Sequence, residues 1–134
     1  MKEEIIEKLL IDHPIHDLVK SSELDIADKL RENVGQIVKY RDLYHRELSK
    51  LDYLTDLMEK MVGLRYRHYR FDAVESYTKP EIERYCMPAD KKVLRMKKII
   101  RNQEVRVRFM EMCWKAFEKQ SWSMKLFLDT LKNY

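Results

Sequence analysis

From Leu30 onward the apolar residues recur by fours and threes as far as Val62. The steps fall at 30, 34, 37, 41, 44, 48, 51, 55, 58 and 62 and carry Leu30, Val34, Ile37, Tyr44, Leu48, Leu51, Met58 and Val62, with Arg41 and Thr55 as interruptions. That spacing keeps one side of a helix apolar and predicts a long element with a coiled-coil-like seam. Tyr40, Leu43, Leu54, Leu57 and Met61 widen the apolar face, so this helix is expected to bury against more than one neighbour. Ser22-Glu23-Leu24-Asp25 supplies its start, a hydroxyl that can accept from a first-turn amide followed by acids near the positive end of the helix dipole. Carried to Phe71, the helix has about fifty residues and spans roughly 75 Å. Continued stepping puts Arg65 and Tyr69 in the seam, and close packing is therefore expected to end near Val62.

A second long helix follows the same rule. Val93, Met96, Ile100, Val107, Met110, Trp114 and Phe117 alternate by three and four, with Gln103 the one polar residue in the series. Met87-Pro88-Ala89-Asp90 reads as its start, with proline in the first turn and Asp90 near the dipole's positive end. Between the helices, Thr78-Lys79-Pro80-Glu81 has a cap, an early proline and an acid three after the cap, predicting a short helical turn from about 79 to 85 that Tyr77 and Tyr85 pack down. Gln120-Ser121-Trp122-Ser123 is expected to interrupt the second helix. A last amphipathic helix then carries Met124, Phe127, Leu128 and Leu131 at i, i+3, i+4 and i+7. It docks either on its own chain or on copies of it, and Trp122, Met124, Phe127, Leu128 and Leu131 are its candidate assembly residues. At the other end, Ile5, Ile6, Leu9 and Leu10 give residues 2–12 a short amphipathic helix ending before His13-Pro14. The predicted fold is all-α: a long antiparallel helical hairpin over 22–119, a short C-terminal oligomerisation helix over 120–134, and an acidic N-terminal arm over 1–21 that is expected to be mobile.

Composition supports helices and adds a polarity. With 2 glycines and 3 prolines among 134 residues, the chain has few sites for the tight turns of β-rich folds. Residues 1–32 carry 5 Lys/Arg against 9 Asp/Glu, whereas residues 33–134 carry 22 against 14, so a basic body follows an acidic arm. A basic body points to a polyanion, and the arm could fold over the same surface or bind a separate partner. Cys86 and Cys113 are too few for a disulfide framework and match no zinc spacing. Asp12-His13-Pro14-Ile15-His16 has no second cluster to complete a ligand set, so neither metal nor cofactor is expected. The acidic start is unlike a signal peptide and no apolar run approaches a membrane span, which predicts a soluble, cytoplasmic protein.

The stretch Met61-Val62-Gly63-Leu64-Arg65-Tyr66-Arg67-His68-Tyr69-Arg70-Phe71 carries the chemistry. It interleaves arginines, which bind phosphate through a planar fork, with rings on which bases can stack. Lys91, Lys98, Arg101, Arg108, Lys115 and Lys119 form a second cationic feature, a strip facing away from the seam of the second helix. Solvation explains any one of these, but between 91 and 108 there are 8 Lys/Arg and one Glu, and like charges at such spacing repel unless an anion is present. Candidate DNA-binding residues are therefore Arg65, Arg67, Arg70, Tyr66, Tyr69, Lys91, Lys98, Arg101 and Arg108. Substituting Arg65 and Arg67 by alanine is expected to weaken binding without unfolding. No triad, phosphate loop or metal-spaced set suggests an enzyme. The rival reading is an oligomeric helical scaffold whose basic surface meets an acidic protein.

Two segments resemble the UvsY-like family of recombination mediators of T-even-type phages. Val62-Gly63-Leu64-Arg65-Tyr66-Arg67 is similar to the family's V-x-L-K-A-R segment with its following tyrosines, and Pro88-Ala89-Asp90-Lys91-Lys92-Val93-Leu94 to its A-D-K-x-V-L helix start. The resemblance runs from about Leu24 to the C-terminus. It implies a non-enzymatic protein that binds single-stranded DNA, contacts a single-strand-binding protein and a RecA-like recombinase, and helps the second replace the first on the strand. It further implies a ring-like homo-oligomer, a hexamer or heptamer, held by the C-terminal helix, with Arg65 and Arg67 at the family's DNA-binding lysine and arginine. Two departures stand out: Tyr66 replaces a small residue, and Arg70-Phe71-Asp72-Ala73-Val74 replaces a glycine-containing turn.

Overall fold

The computed structural model describes residues 2–13 and 26–132, without the side chains of 26–27, 127–128 and 130–132. The helix start expected at Ser22-Glu23-Leu24-Asp25 lies outside the described residues. Within them, everything except 13, 73–78 and 90 is helical. The elements are α1 (Lys2–Asp12), α2 (Ile26–Arg67), a π turn π1 (His68–Asp72), α3 (Lys79–Glu81), a second π turn π2 (Ile82–Cys86), α4 (Met87–Ala89) and α5 (Lys91–Lys132). No helix among the described residues is long and apolar enough to cross a membrane.

The chain forms two compact units, 1–48 with 105–134, and 49–104. In the first, the terminal unit, α2 and α5 run antiparallel, as the pairs Asn33–Gln120 and Tyr44–Trp114 show. Tyr40, Met110, Cys113 and Phe117 form its core, with Tyr40 and Phe117 stacked at 5.6 Å. Leu9 of α1 packs against this cluster, and His13 Nδ1 lies 3.1 Å from the Tyr40 hydroxyl. Burial pushes the Cys113 thiol up to about 12, so it behaves as an inert apolar group.

The seam of α5 is the one the spacing predicts: Val93, Gln103, Val107, Met110 and Phe117 are all buried. In that of α2, Ile37 and Tyr44 pack against the core as expected, but Asn33 and Tyr40 are buried where Val34 and Arg41 were expected. Val34 is 60% exposed while Asn33 is fully buried, donating through Nδ2 to Gln120 Oε1 at 2.8 Å. Arg41 no longer interrupts anything, because it sits on the rim, paired with Glu118 at 2.8 Å and stacked over Trp114.

The break expected at Gln120–Ser123 does not occur, and α5 is unbroken through it. Two of its polar residues find partners: Gln120 Oε1 accepts from Asn33 on α2, and Ser123 Oγ donates back to the Lys119 carbonyl at 3.1 Å, while Ser121 is buried.

The central unit, 49–104, pairs the second half of α2 with the first turns of α5 and folds the connection between them. At Thr78 the capping sequence acts as read, with Glu81 Oε1 accepting from the Thr78 amide at 3.3 Å and hydroxyl at 2.7 Å. The short helical turn it starts passes into π2, where Ile82 is fully buried. α5 does not begin at Met87-Pro88. Asp90 takes an extended conformation and ends α4, and its Oδ1 accepts from the amides of Lys92 at 2.9 Å and Val93 at 3.0 Å. Asp90 is therefore the N-cap of α5.

Candidate nucleic-acid interface

Asp90 organises the candidate site from inside the central unit. While Oδ1 caps α5, Oδ2 accepts from Arg65 Nε at 2.7 Å and from the Tyr69 hydroxyl at 2.5 Å. The carboxylate is almost wholly buried, at 3% exposure. Burial pushes its pKa up, but the hydrogen bonds from Tyr69, Arg65 and the Val93 amide outweigh this and hold it down at about 2. A permanent anion thus joins the end of α2, the following π turn and the start of α5. Through it the two motifs that carry the family resemblance, around Arg65 and around Asp90, meet in space.

This geometry corrects the expectation that close packing ends near Val62. Arg65 is held by Asp90 and lies 5.3 Å from the Tyr69 ring centre, and Tyr69 meets Tyr77 edge-on at 6.2 Å. Tyr66 is half-buried. Arg70 is exposed and donates to the Tyr77 carbonyl at 3.0 Å. Arg67 is exposed, beside Lys60, Gly63 and Leu64 along a shallow groove of about 410 Å³, and has no ion-pair partner among the described residues. Tyr77 packs the connection down as expected, but Tyr85 does not, being 67% exposed.

On α5, Lys91, Lys92, Arg95, Lys97, Lys98 and Arg101 occupy the first three turns. All six side chains are exposed, and none forms an ion pair among the described residues. No acid follows Asp90 until Glu104. Cations at a helix N-terminus oppose the helix dipole and, one turn apart, repel each other. The central unit contains 13 Lys/Arg against 9 Asp/Glu, while the rest of the chain balances at 14 of each, so all the net charge resides in residues 49–104.

The remaining candidates lie in the terminal unit. Arg108 is exposed and lines a groove of about 390 Å³ with Lys2, Ile6 and Leu10 of α1, and Lys115 is paired with Glu111. Of the assembly residues, Met124 is buried within the unit and Trp122 is 63% exposed. The side chains of Phe127, Leu128 and Leu131 lie outside the described ones. Among the described residues no group of three or more His, Cys, Asp or Glu could hold a metal ion.

Sequence reasoning placed Asp90 at a helix start but missed its two partners, and passed over Lys92, Arg95 and Lys97. The signal for the latter was present in the acid-free run 91–103.

No protein-family model matches this chain, and no curated protein matches it. Solved structures do. Three crystal structures of the bacteriophage T4 recombination mediator protein UvsY superpose on it: lattice type II with TM-score 0.77 at 15% identity over 91% of this chain and 93% of that one; lattice type IV with 0.77 at 14% over 98% and 97%; and lattice type I with 0.76 at 16% over 90% and 96%. The all-α fold assembled here around Asp90 is the fold of UvsY.

Proposed function

We propose that the protein is a recombination mediator: a non-enzymatic, cytoplasmic homo-oligomer that binds single-stranded DNA and helps a RecA-like recombinase displace single-strand-binding protein from it. One observation carries the reading. Six exposed cations without ion-pair partners among the described residues crowd the first three turns of α5, where they cost helix stability, in a chain that shares the fold of a recombination mediator. Arg67 and Arg70 extend that charge along the end of α2 and the turn after it, and Arg108 is a further exposed cation in the terminal unit. Arg65 and Tyr69 serve the same surface by holding it together through Asp90. The C-terminal segment with Trp122, Phe127, Leu128 and Leu131 provides the contacts between copies.

The test is fluorescence anisotropy of a labelled oligonucleotide, single- and double-stranded, across a salt series, with heparin as competitor. Preferential binding to the single strand, falling with a logarithmic slope of about −0.7 per phosphate contact, supports the mediator. Equal affinity for single strand, duplex and heparin returns the protein to the scaffold reading, with an acidic protein as its partner.

A further inference from the structure

The two π turns of the central unit touch each other. Each presents a large ring to solvent: Phe71 from π1 is 76% exposed and Tyr85 from π2 is 67% exposed. Neither ring has an aromatic or hydrogen-bonding partner among the described residues, in contrast to Tyr69 and Tyr77, which are locked against each other. π turns are rare and are found frequently at functional sites. Two adjacent ones that both aim an aromatic ring outward are not explained by packing, since the buried anchor of this segment is Ile82.

We infer that Phe71 and Tyr85 form a base-stacking platform for unstacked nucleobases of a single strand, a site separate from the phosphate-binding cations. The inference rests on the single-stranded-DNA reading and names the residues that meet the bases. Charge decides the occupant. Arg67 lies one turn before Phe71, and the cationic first turns of α5 belong to the same compact unit, so a strand whose phosphates lie on those cations has its bases within this unit's surface. Charge at the rings themselves is close to balanced, with Arg70 and Arg84 against Asp72 and Glu83. The platform therefore contributes ring contact rather than ionic attraction, and its contribution is insensitive to salt.

The experiment measures anisotropy of an oligothymidylate and of an abasic strand of equal length, with the full chain and its F71A, Y85A, F71A/Y85A, F71L/Y85L and F71W variants, at two salt concentrations. Each alanine is expected to weaken oligothymidylate binding about tenfold, with the salt slope unchanged. The native chain loses affinity on the abasic strand, whereas the double alanine variant binds both strands alike. The leucine pair, apolar but not flat, does not restore affinity, and F71W does, with its fluorescence quenched by the oligonucleotide. Both side chains are exposed, so the circular dichroism melt stays at the native temperature. Native affinity in the double alanine variant, or full rescue by leucine, overturns the platform while leaving the mediator standing. Failure of the native chain to bind either strand overturns both.

Discussion

Asp90 accepts four hydrogen bonds through two oxygens while almost fully buried, which makes it a tie between the end of α2, the first π turn and the start of α5. Its folded pKa of about 2 lies below the ordinary 3.8. The native state therefore holds on to fewer protons than the unfolded chain between those values, and stability falls as pH drops through that window. The contribution is about 2 kcal/mol, complete above about pH 5 and lost near pH 2. Asp90→Asn is expected to cost that much in urea denaturation at neutral pH and far less at pH 2, and an equal loss at both would mean the carboxylate is not the stabilising species. Arg65 and Arg67 part company at this scale. Arg65→Ala leaves the buried carboxylate short of its cation and should destabilise by about 2–3 kcal/mol. Arg67→Ala should leave the melt unchanged and flatten the salt dependence of DNA binding by about 0.7 of a logarithmic unit. The sequence treated the two arginines as equivalent because they share a motif. Only the position of Asp90, 25 residues from Arg65, separates them.

Among the elements, α5 was readable and α2 less so, for a physical reason. The seam of α5 is made of apolar residues whose burial follows from their own chemistry, as with Val93, Val107, Met110 and Phe117. That of α2 includes Asn33, buried only because Gln120 meets it from another helix, so periodicity assigned its place to neighbouring Val34. The same pairing helps α5 run through Gln120–Ser123: Gln120 is met by a distant partner and Ser123 by a back-bond within the helix. The basic start of α5 makes a prediction of its own. Lys91→Gln with Lys92→Gln removes cations from the unfavourable end of the dipole and should stabilise the helix by about 0.3–1 kcal/mol per residue. It should also weaken binding to single-stranded DNA. A rise in melting temperature with lower affinity identifies these lysines as kept for the ligand; a lower melting temperature would show that they support the fold.

For the molecule as a whole, the unbroken α5 bears on assembly. Leu128 and Leu131 continue by fours and threes from buried Phe117, Ser121 and Met124, so the register of the internal seam and that of the proposed assembly segment are one. Leu128→Glu places an unpaired charge on it at a cost of several kcal/mol if the position is buried between copies. Light scattering should then report a smaller particle with the helical melt retained; the full oligomer with a lowered melt would place Leu128 inside its own subunit. The sequence by itself determined the helices, the cationic face and the resemblance to recombination mediators, because apolar period, scarcity of glycine and acid-free runs are local properties of the chain. Tertiary structure alone decided that Arg65 and Tyr69 turn inward to Asp90, that Asn33 displaces Val34 from the seam, and that Phe71 and Tyr85 are left facing solvent. Each of these depends on which partner reaches a polar or aromatic group across the fold, and burial of such a group is favourable only where that partner exists.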